Sequence, residues 1–208
     1  MDRKLKAGLS GSIAALVLAV GAQAFAADEQ PVTAKWKVQE IRFAYSGFTT
    51  WYSCEAAEQK IKSILLTLGA HPSTDVDATG CDSNRPSKMF FVTITAATPV
   101  PAAEAEKTPA EKSREELLKR LGVKQEVSDE EFLATWTSVD LAKEKRLRLE
   151  PGDCELIEDL RDEVFPKLGI KIEEDRVVCT PNRLGIQPPQ IRVSALKRVE
   201  SADAQSPK

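Results

Sequence analysis

Histidine is almost absent from this chain of 208 residues, since His71 is the only one. A hydrolase triad or a histidine general base would have to be built on it, and no nucleophile stands near it at a supporting spacing. His71 follows the Leu68-Gly69 end of a predicted helix and precedes Pro72, a position typical of a surface loop. The sequence therefore argues against catalysis by histidine.

Other motifs that mark a particular chemistry are missing too. The chain has no Cys-x-x-Cys pair, which zinc sites and thiol-disulfide exchange favour, and no glycine-rich phosphate loop. We therefore expect no metal and no cofactor. Acidic residues outnumber basic ones by 32 to 29, whereas proteins that hold phosphate backbones invert that balance. Nucleic acid is accordingly excluded from the expected partners.

No apolar run reaches the roughly 20 residues that cross a bilayer, but a shorter one lies near the N terminus. Three basic residues precede an apolar segment at 13–20, and small residues follow it. This order predicts a cleaved secretory signal peptide at residues 1–26. Cleavage removes three basic residues and one acidic residue and leaves a net charge of −5. The mature chain is expected in the periplasm or outside the cell, without a transmembrane segment.

Two stretches of the chain share one pattern at a constant offset of 100 residues. YSCEAAEQKIKSILLTLGA (52–70) and GDCELIEDLRDEVFPKLGI (152–170) each contain a cysteine, a glutamate directly after it, helical apolar spacing and a closing Leu-Gly. Cysteines in an exported chain predict disulfides, and four cysteines allow three pairings. Because a duplicated unit should carry its bridge within itself, the repeat selects one pairing. The predicted bridges are Cys54–Cys81 and Cys154–Cys179.

Each unit is predicted to contain a helix between two strands. The helices begin at Cys54 and Cys154, and Pro166 is expected to kink or tighten the last turn of the second one. The segments that end at Cys81 and Cys179 are extended or form short strands. Apolar alternation predicts four strands, at 35–47, 89–96, 135–142 and 190–196.

This order of elements predicts an α+β fold made of two βαβ-type repeats, at 35–97 and 131–198. Right-handed crossovers would place both helices on one face of a four-stranded antiparallel sheet, the ferredoxin-like arrangement, with each repeat clipped by a disulfide. Two separate lobes are the alternative. Residues 98–130 are predicted to be a solvated linker with a short helix, and residues 199–208 a disordered tail.

Two surface features are candidates for interaction. The stretch GFTTWYSC (47–54) clusters aromatic residues between strand and helix, and aromatic residues are over-represented at binding surfaces. Core packing is the favoured interpretation of this cluster, and partial exposure of Trp51 is the hypothesis to test. The stretch LAKEKRLRL (141–149) is basic. The candidate interaction residues are Phe48, Trp51, Tyr52, Lys143, Lys145, Arg146 and Arg148.

Acidic residues crowd the second helix, and their spacing predicts an outward, solvated face. The residues assigned to that face are Glu155, Glu158, Asp159 and Asp162, with Arg161 among them. No catalytic residue is predicted from them. The leading hypothesis is a non-catalytic, disulfide-stabilised binding or interaction module, whose partner is an envelope protein or a small ligand. The alternatives are an envelope hydrolase that uses a carboxylate pair, as glycosidases do, and a structural envelope component.

The chain contains the motifs YSC, LLTLGA, GDCEL and VVCTPNRL and a Gly-Cys pair at 80–81. In these motifs the chain resembles a family of exported proteobacterial proteins of no assigned function. The resemblance covers roughly residues 36–96 and 135–197. It implies the envelope of a Gram-negative bacterium. It implies no activity, cofactor or catalytic residue.

Overall fold

The computed structural model describes residues 30–81, 85–105, 112–113, 116–117, 120–121 and 127–199. These residues form a six-stranded antiparallel sheet and two α-helices, which confirms the α+β class. The predicted signal peptide lies outside the described residues. The strands are β1 (Val32–Ser46), β2 (Asp75–Thr79), β3 (Met89–Pro101), β4 (Phe132–Asp140), β5 (Lys171–Asp175) and β6 (Ile191–Arg198), and the helices are α1 (Cys54–Thr67) and α2 (Cys154–Asp159).

The sheet has six strands in the order β2-β3-β1-β4-β6-β5, where four were predicted. The two additional strands are the segments before Cys81 and Cys179, which pair with β3 and β6 as the edges of the sheet. Each half therefore runs strand, helix, hairpin: β1-α1-β2-β3 and β4-α2-β5-β6. This topology does not confirm a plain βαβ repeat or the ferredoxin-like arrangement.

The two halves meet through a short strand pairing and a shared core. β1 and β4 pair over three residues, from Val32↔Ala134 to Ala34↔Phe132. Alternate residues of β1 and β6 pack with apolar residues of both helices in one buried cluster. Each fully buried aliphatic side chain contributes about 1.5–3 kcal/mol. Representative members of this core are Ile41, Phe43, Ile61, Leu65, Leu156, Leu160, Ile191 and Val193.

The two helices begin and end differently, although their sequences correspond. The Ser53 hydroxyl caps α1 by accepting a hydrogen bond from the amide of Ala56 at 3.2 Å, as the sequence indicates. α2 runs on into a π-helical turn at Leu160–Val164, in which the Phe165 amide donates to the Leu160 carbonyl at 2.8 Å. Pro166 has no amide hydrogen to continue the α-helical pattern. The last turn therefore widens, instead of tightening.

Both predicted disulfides, Cys54–Cys81 and Cys154–Cys179, are confirmed, and each has a Cα–Cα distance of 5.7 Å. Each bridge ties the first residue of a helix to the segment that follows the edge strand. In the chain-entropy model, loops of 27 and 25 residues contribute about 3.5 kcal/mol each. The bridges therefore fix the helix starts against the loops beside them.

Part of the predicted linker forms secondary structure. β3 continues to Pro101, so the segment 98–101 lies in the sheet. Residues 112–113, 116–117 and 120 are helical, where a short helix was predicted, and the side chains of Leu117 and Leu121 are exposed. Among the described residues, no helix has the length and apolarity to cross a membrane.

Candidate functional site

A carboxylate from the second half holds the loop between β1 and α1. Glu155 accepts hydrogen bonds from the amide of Thr49 at 3.0 Å, from the Thr49 hydroxyl at 3.0 Å and from the amide of Thr50 at 3.5 Å. The side chain is buried, with 7% exposed. The prediction that Glu155 faces outward is therefore wrong, because its charge is directed at the donors of the loop.

A second buried carboxylate joins the halves beneath this loop. Asp153 is 3% exposed and accepts hydrogen bonds from the Tyr52 hydroxyl at 2.6 Å, from Lys60 Nζ at 2.9 Å and from the Glu150 amide at 2.7 Å. Burial and the neighbouring Asp153 charge raise the pKa of Tyr52 above its ordinary value. Tyr52 was predicted as a surface candidate, but it lies in the core and is bonded to the opposite half.

The other two aromatic residues of the stretch point outward. Phe48 and Trp51 are 56% and 57% exposed, so the core packing that the sequence favoured is wrong for these two residues. Lys88 supports both: its Nζ lies 5.0 Å from the centroid of the Trp51 ring and 3.3 Å from the Phe48 carbonyl oxygen, to which it donates. Core packing therefore accounts for Tyr52 alone, while Phe48 and Trp51 are presented to solvent.

A cavity of 360 Å³ opens beside the same loop. Thr49 forms one wall, and residues of the long loop 176–190 between β5 and β6 form the other. The floor consists of Pro151, Gly152, Cys154 and Glu155. The Cys154–Cys179 bridge lies in the lining and connects floor to loop. The sequence predicted only a turn at TPNRLGIQPP, so the cavity was missed.

Exposed apolar side chains lie in the lining of this cavity, as Val178 and Leu184 do, or close in the sequence to a lining residue, as Ile186, Phe48 and Trp51 do. Val178, Leu184 and Ile186 are 83%, 67% and 97% exposed. Single exposed apolar residues are ordinary, but a group of them beside a cavity marks a contact surface. A Cβ atom on Gly152 would lie 2.8 Å from Thr50 Oγ1 and 3.7 Å from Leu184 Cδ2, so the two loops approach each other over this glycine. We call Phe48, Trp51, Val178, Leu184 and Ile186 the apolar rim.

Two arginines, Arg176 and Arg183, line the cavity. Arg176 forms an ion pair with Glu174. Arg183 makes no ion pair with any described residue, and its recorded bond is from its backbone amide to the Thr180 carbonyl at 3.1 Å. The guanidinium of Arg183 is therefore a positive charge at the cavity without an acidic partner among the described residues.

The predicted basic cluster lies apart from the cavity. Lys143, Lys145, Arg146 and Arg148 are all exposed, and none of them lines the cavity. Lys143 pairs with Asp140 at 2.8 Å, and this hydrogen-bonded pair lowers the pKa of the Asp140 carboxyl. The structure thus separates the two groups of candidate interaction residues.

Asp159, one helical turn after Glu155, was also predicted to face outward. Its Oδ2 is buried without a hydrogen-bond partner. Burial raises the pKa of Asp159 to about 7, and the charges of Glu158, Asp162 and Glu155 add to this effect. Arg161 does not relieve it, because its guanidinium is engaged by Asp162, Asp175 and Glu158.

His71 has a local structural role. Its Nδ1 lies 2.7 Å from the Ser73 hydroxyl oxygen and accepts a hydrogen bond from the Ser73 amide at 3.2 Å. These contacts close the turn after α1. Its ring meets Trp36 edge-on at 5.0 Å. Within the described part of the chain, no group of three or more His, Cys, Asp or Glu side chains could hold a metal ion.

The relation of this chain to other proteins was tested by three comparisons. Neither the models of protein families, nor the curated proteins, nor the solved structures contain a match to it. The resemblance to exported proteobacterial proteins therefore stays a prediction. The function has to be argued from the rim and the cavity themselves.

Proposed function

We propose that the protein is a non-catalytic, disulfide-stabilised binding module of the periplasm or the extracellular space, which holds an envelope partner at the apolar rim and the cavity. One observation carries this proposal: residues of both halves line a single cavity, and each half has exposed apolar side chains in the lining or next to a lining residue in the sequence. Burying a large apolar side chain is worth about 1.5–3 kcal/mol. A partner that covers the rim would gain this stabilisation.

The support beneath the rim favours binding as well. Glu155 holds the loop that carries Phe48 and Trp51, and the Cys154–Cys179 bridge holds the loop that carries Leu184 and Ile186. A surface that is ordered before binding loses less conformational freedom when it binds. The rim is therefore built as a rigid contact surface.

The compartment fits such a role. Two disulfides among the described residues are typical of an oxidising compartment, and the predicted signal peptide would deliver the chain there. We further propose that the halves arose by duplication, since they share element order and bridge position. The site uses what the halves do not share: Glu155 is buried, whereas the corresponding Glu55 is exposed.

The two alternatives are less well supported. A glycosidase-type hydrolase needs two carboxyl groups across a site, but Glu155 is the one acidic residue among the described residues that line the cavity, and its oxygens are occupied by Thr49 and Thr50. An assembling structural component needs an edge that can pair. β2 and β5 each have five residues and carry acidic side chains, which disfavours edge-to-edge growth.

Site-specific photo-cross-linking in the envelope of the native host tests the proposal. A benzoyl-phenylalanine at position 186 is compared with one at Phe91, which is exposed and apolar but lies in β3, away from the cavity. We expect a discrete adduct from position 186 and none from position 91. Adducts of equal yield at both positions, or none at position 186, would overturn the proposal.

A further inference from the structure

We infer that the cavity receives a polypeptide segment that carries a single carboxylate next to an apolar side chain, with the carboxylate on Arg183. This inference rests on the proposed binding function and deepens it by naming the chemistry of the partner. It is drawn from the charges, the lining groups and the size of the cavity.

The charge of the cavity calls for an anion. Arg176 forms an ion pair with Glu174, which also pairs with Arg192. The carboxylate of Glu155 is directed at Thr49 and Thr50. Arg183 has no acidic partner among the described residues. A guanidinium binds a carboxylate through two parallel hydrogen bonds, which gives both affinity and orientation. Arg183 is therefore the anchor for a carboxylate that the partner supplies.

The remaining lining suits a peptide. Val178 and Leu184 offer apolar contact. The side-chain amide of Gln190 donates to that of Gln187 at 2.9 Å, which leaves the Gln187 NH₂ group as a donor and the Gln190 side-chain oxygen as an acceptor for a peptide backbone. The volume of 360 Å³ falls at the lower end of the roughly 300–1,000 Å³ of ligand pockets. It therefore suits a short segment of a chain.

The charge of the whole protein limits how acidic that segment can be. The net charge is −3 for the full chain and −5 without residues 1–26, so the protein repels an acidic tract at long range. One carboxylate among apolar residues avoids this repulsion and still reaches Arg183. The partner segment is thus apolar with one acid group, which is either a side chain or a chain terminus.

Fluorescence anisotropy with three labelled octapeptides of Gly, Ser, Val and Leu tests the inference on the mature chain. The first peptide has a free C-terminal carboxylate, the second has an amidated terminus and one internal Asp, and the third has no carboxylate. We expect at least one carboxylate peptide to bind at least about tenfold more tightly than the third, because a charge-assisted hydrogen bond is lost in the third. The tighter of the first two identifies the source of the carboxylate.

The matched variants are Arg183→Gln and Arg85→Gln. Arg85 holds the corresponding position of the first half, is exposed, and does not line the cavity. We expect Arg183→Gln to weaken the carboxylate peptide at least about tenfold and Arg85→Gln to leave it unchanged. Equal binding of all three peptides, binding of none at about 1 mM, or no effect of Arg183→Gln overturns the inference. If the peptide inference fails but position 186 still cross-links, the proposed binding function stands. If position 186 does not cross-link either, both the inference and the proposed function fail.

Discussion

Substitution of Glu155 by Gln tests the contact that shapes the site. The carboxylate accepts hydrogen bonds from three donors of the loop, on Thr49 and Thr50. Gln keeps the shape but offers one acceptor oxygen and turns an NH₂ group toward these donors. Since a hydrogen bond to a charged group contributes about 1.5–3 kcal/mol, loss of one or two of them should destabilise the protein by about 1.5–6 kcal/mol. For a chain of this size that lowers Tm by about 3–24 °C.

Glu55, the residue that corresponds to Glu155 in the first half, supplies the control for this experiment. Glu55 is exposed, and its Oε1 accepts a hydrogen bond from Gln59 at 3.1 Å, so Glu55→Gln should change the free energy of unfolding by less than about 0.5 kcal/mol. Both variants are measured by calorimetry at pH 7.5 on the mature chain. Equal shifts in the two variants, or a Glu155→Gln protein as stable as the parent, would refute a buried role for this carboxylate.

Three further perturbations separate stability from binding. Asp159 has a folded-state pKa of about 7 against an ordinary 3.8, so the folded state holds its proton more tightly and stability falls as pH rises between these values. At pH 8.5, Asp159→Asn should therefore be about 1–2 kcal/mol more stable than the parent, after allowance for the partial exposure of the side chain. At pH 4.5 the two proteins should be about equally stable, and urea titrations measure both values. A gain in stability that is the same at both pH values contradicts this. Tyr52→Phe removes the 2.6 Å hydrogen bond to Asp153 and should cost about 1–3 kcal/mol by the same method, whereas an unchanged midpoint would deny that bond a role. Replacing either cysteine pair by serine should lower the free energy of unfolding by about 2–4 kcal/mol. Only loss of the Cys154–Cys179 bridge, which lines the cavity, should weaken the binding of carboxylate peptides in the anisotropy assay. Equal weakening of binding by loss of the Cys54–Cys81 bridge would show that the Cys154–Cys179 bridge has no particular role in the site.

Local patterns in the sequence are sufficient to predict much of the fold. The Ser53 cap, the apolar spacing of α1 and the alternation in β1 act within a few residues, so the sequence alone predicts them. The disulfide pairing followed from the repeat, because the bridges close within each half. The edge strands were not fully predicted. DVDAT and KIEED (75–79 and 171–175) carry several charged residues, and only their pairing with β3 and β6 makes them strands.

The site depended on contacts between the halves, which no local pattern reveals. Helical spacing placed Glu155 on an outward face, yet Thr49, 106 residues earlier, covers it. Trp51 and Tyr52 are neighbours in the sequence, but Trp51 is exposed to solvent and Tyr52 is buried. The Tyr52 hydroxyl donates a hydrogen bond to the buried Asp153. The one available signal was the group of exposed apolar residues in VVCTPNRLGI, within a segment that reads as a loop.

The location of binding tests the central claim most directly. Amide chemical shifts of the isotope-labelled mature chain are followed by NMR while the favoured carboxylate octapeptide is added. The proposed site predicts changes confined to the loop at 47–51, the floor at 151–155 and the loop at 176–190. Changes centred on the basic stretch at 143–148, or on the exposed residues of β3, would contradict it.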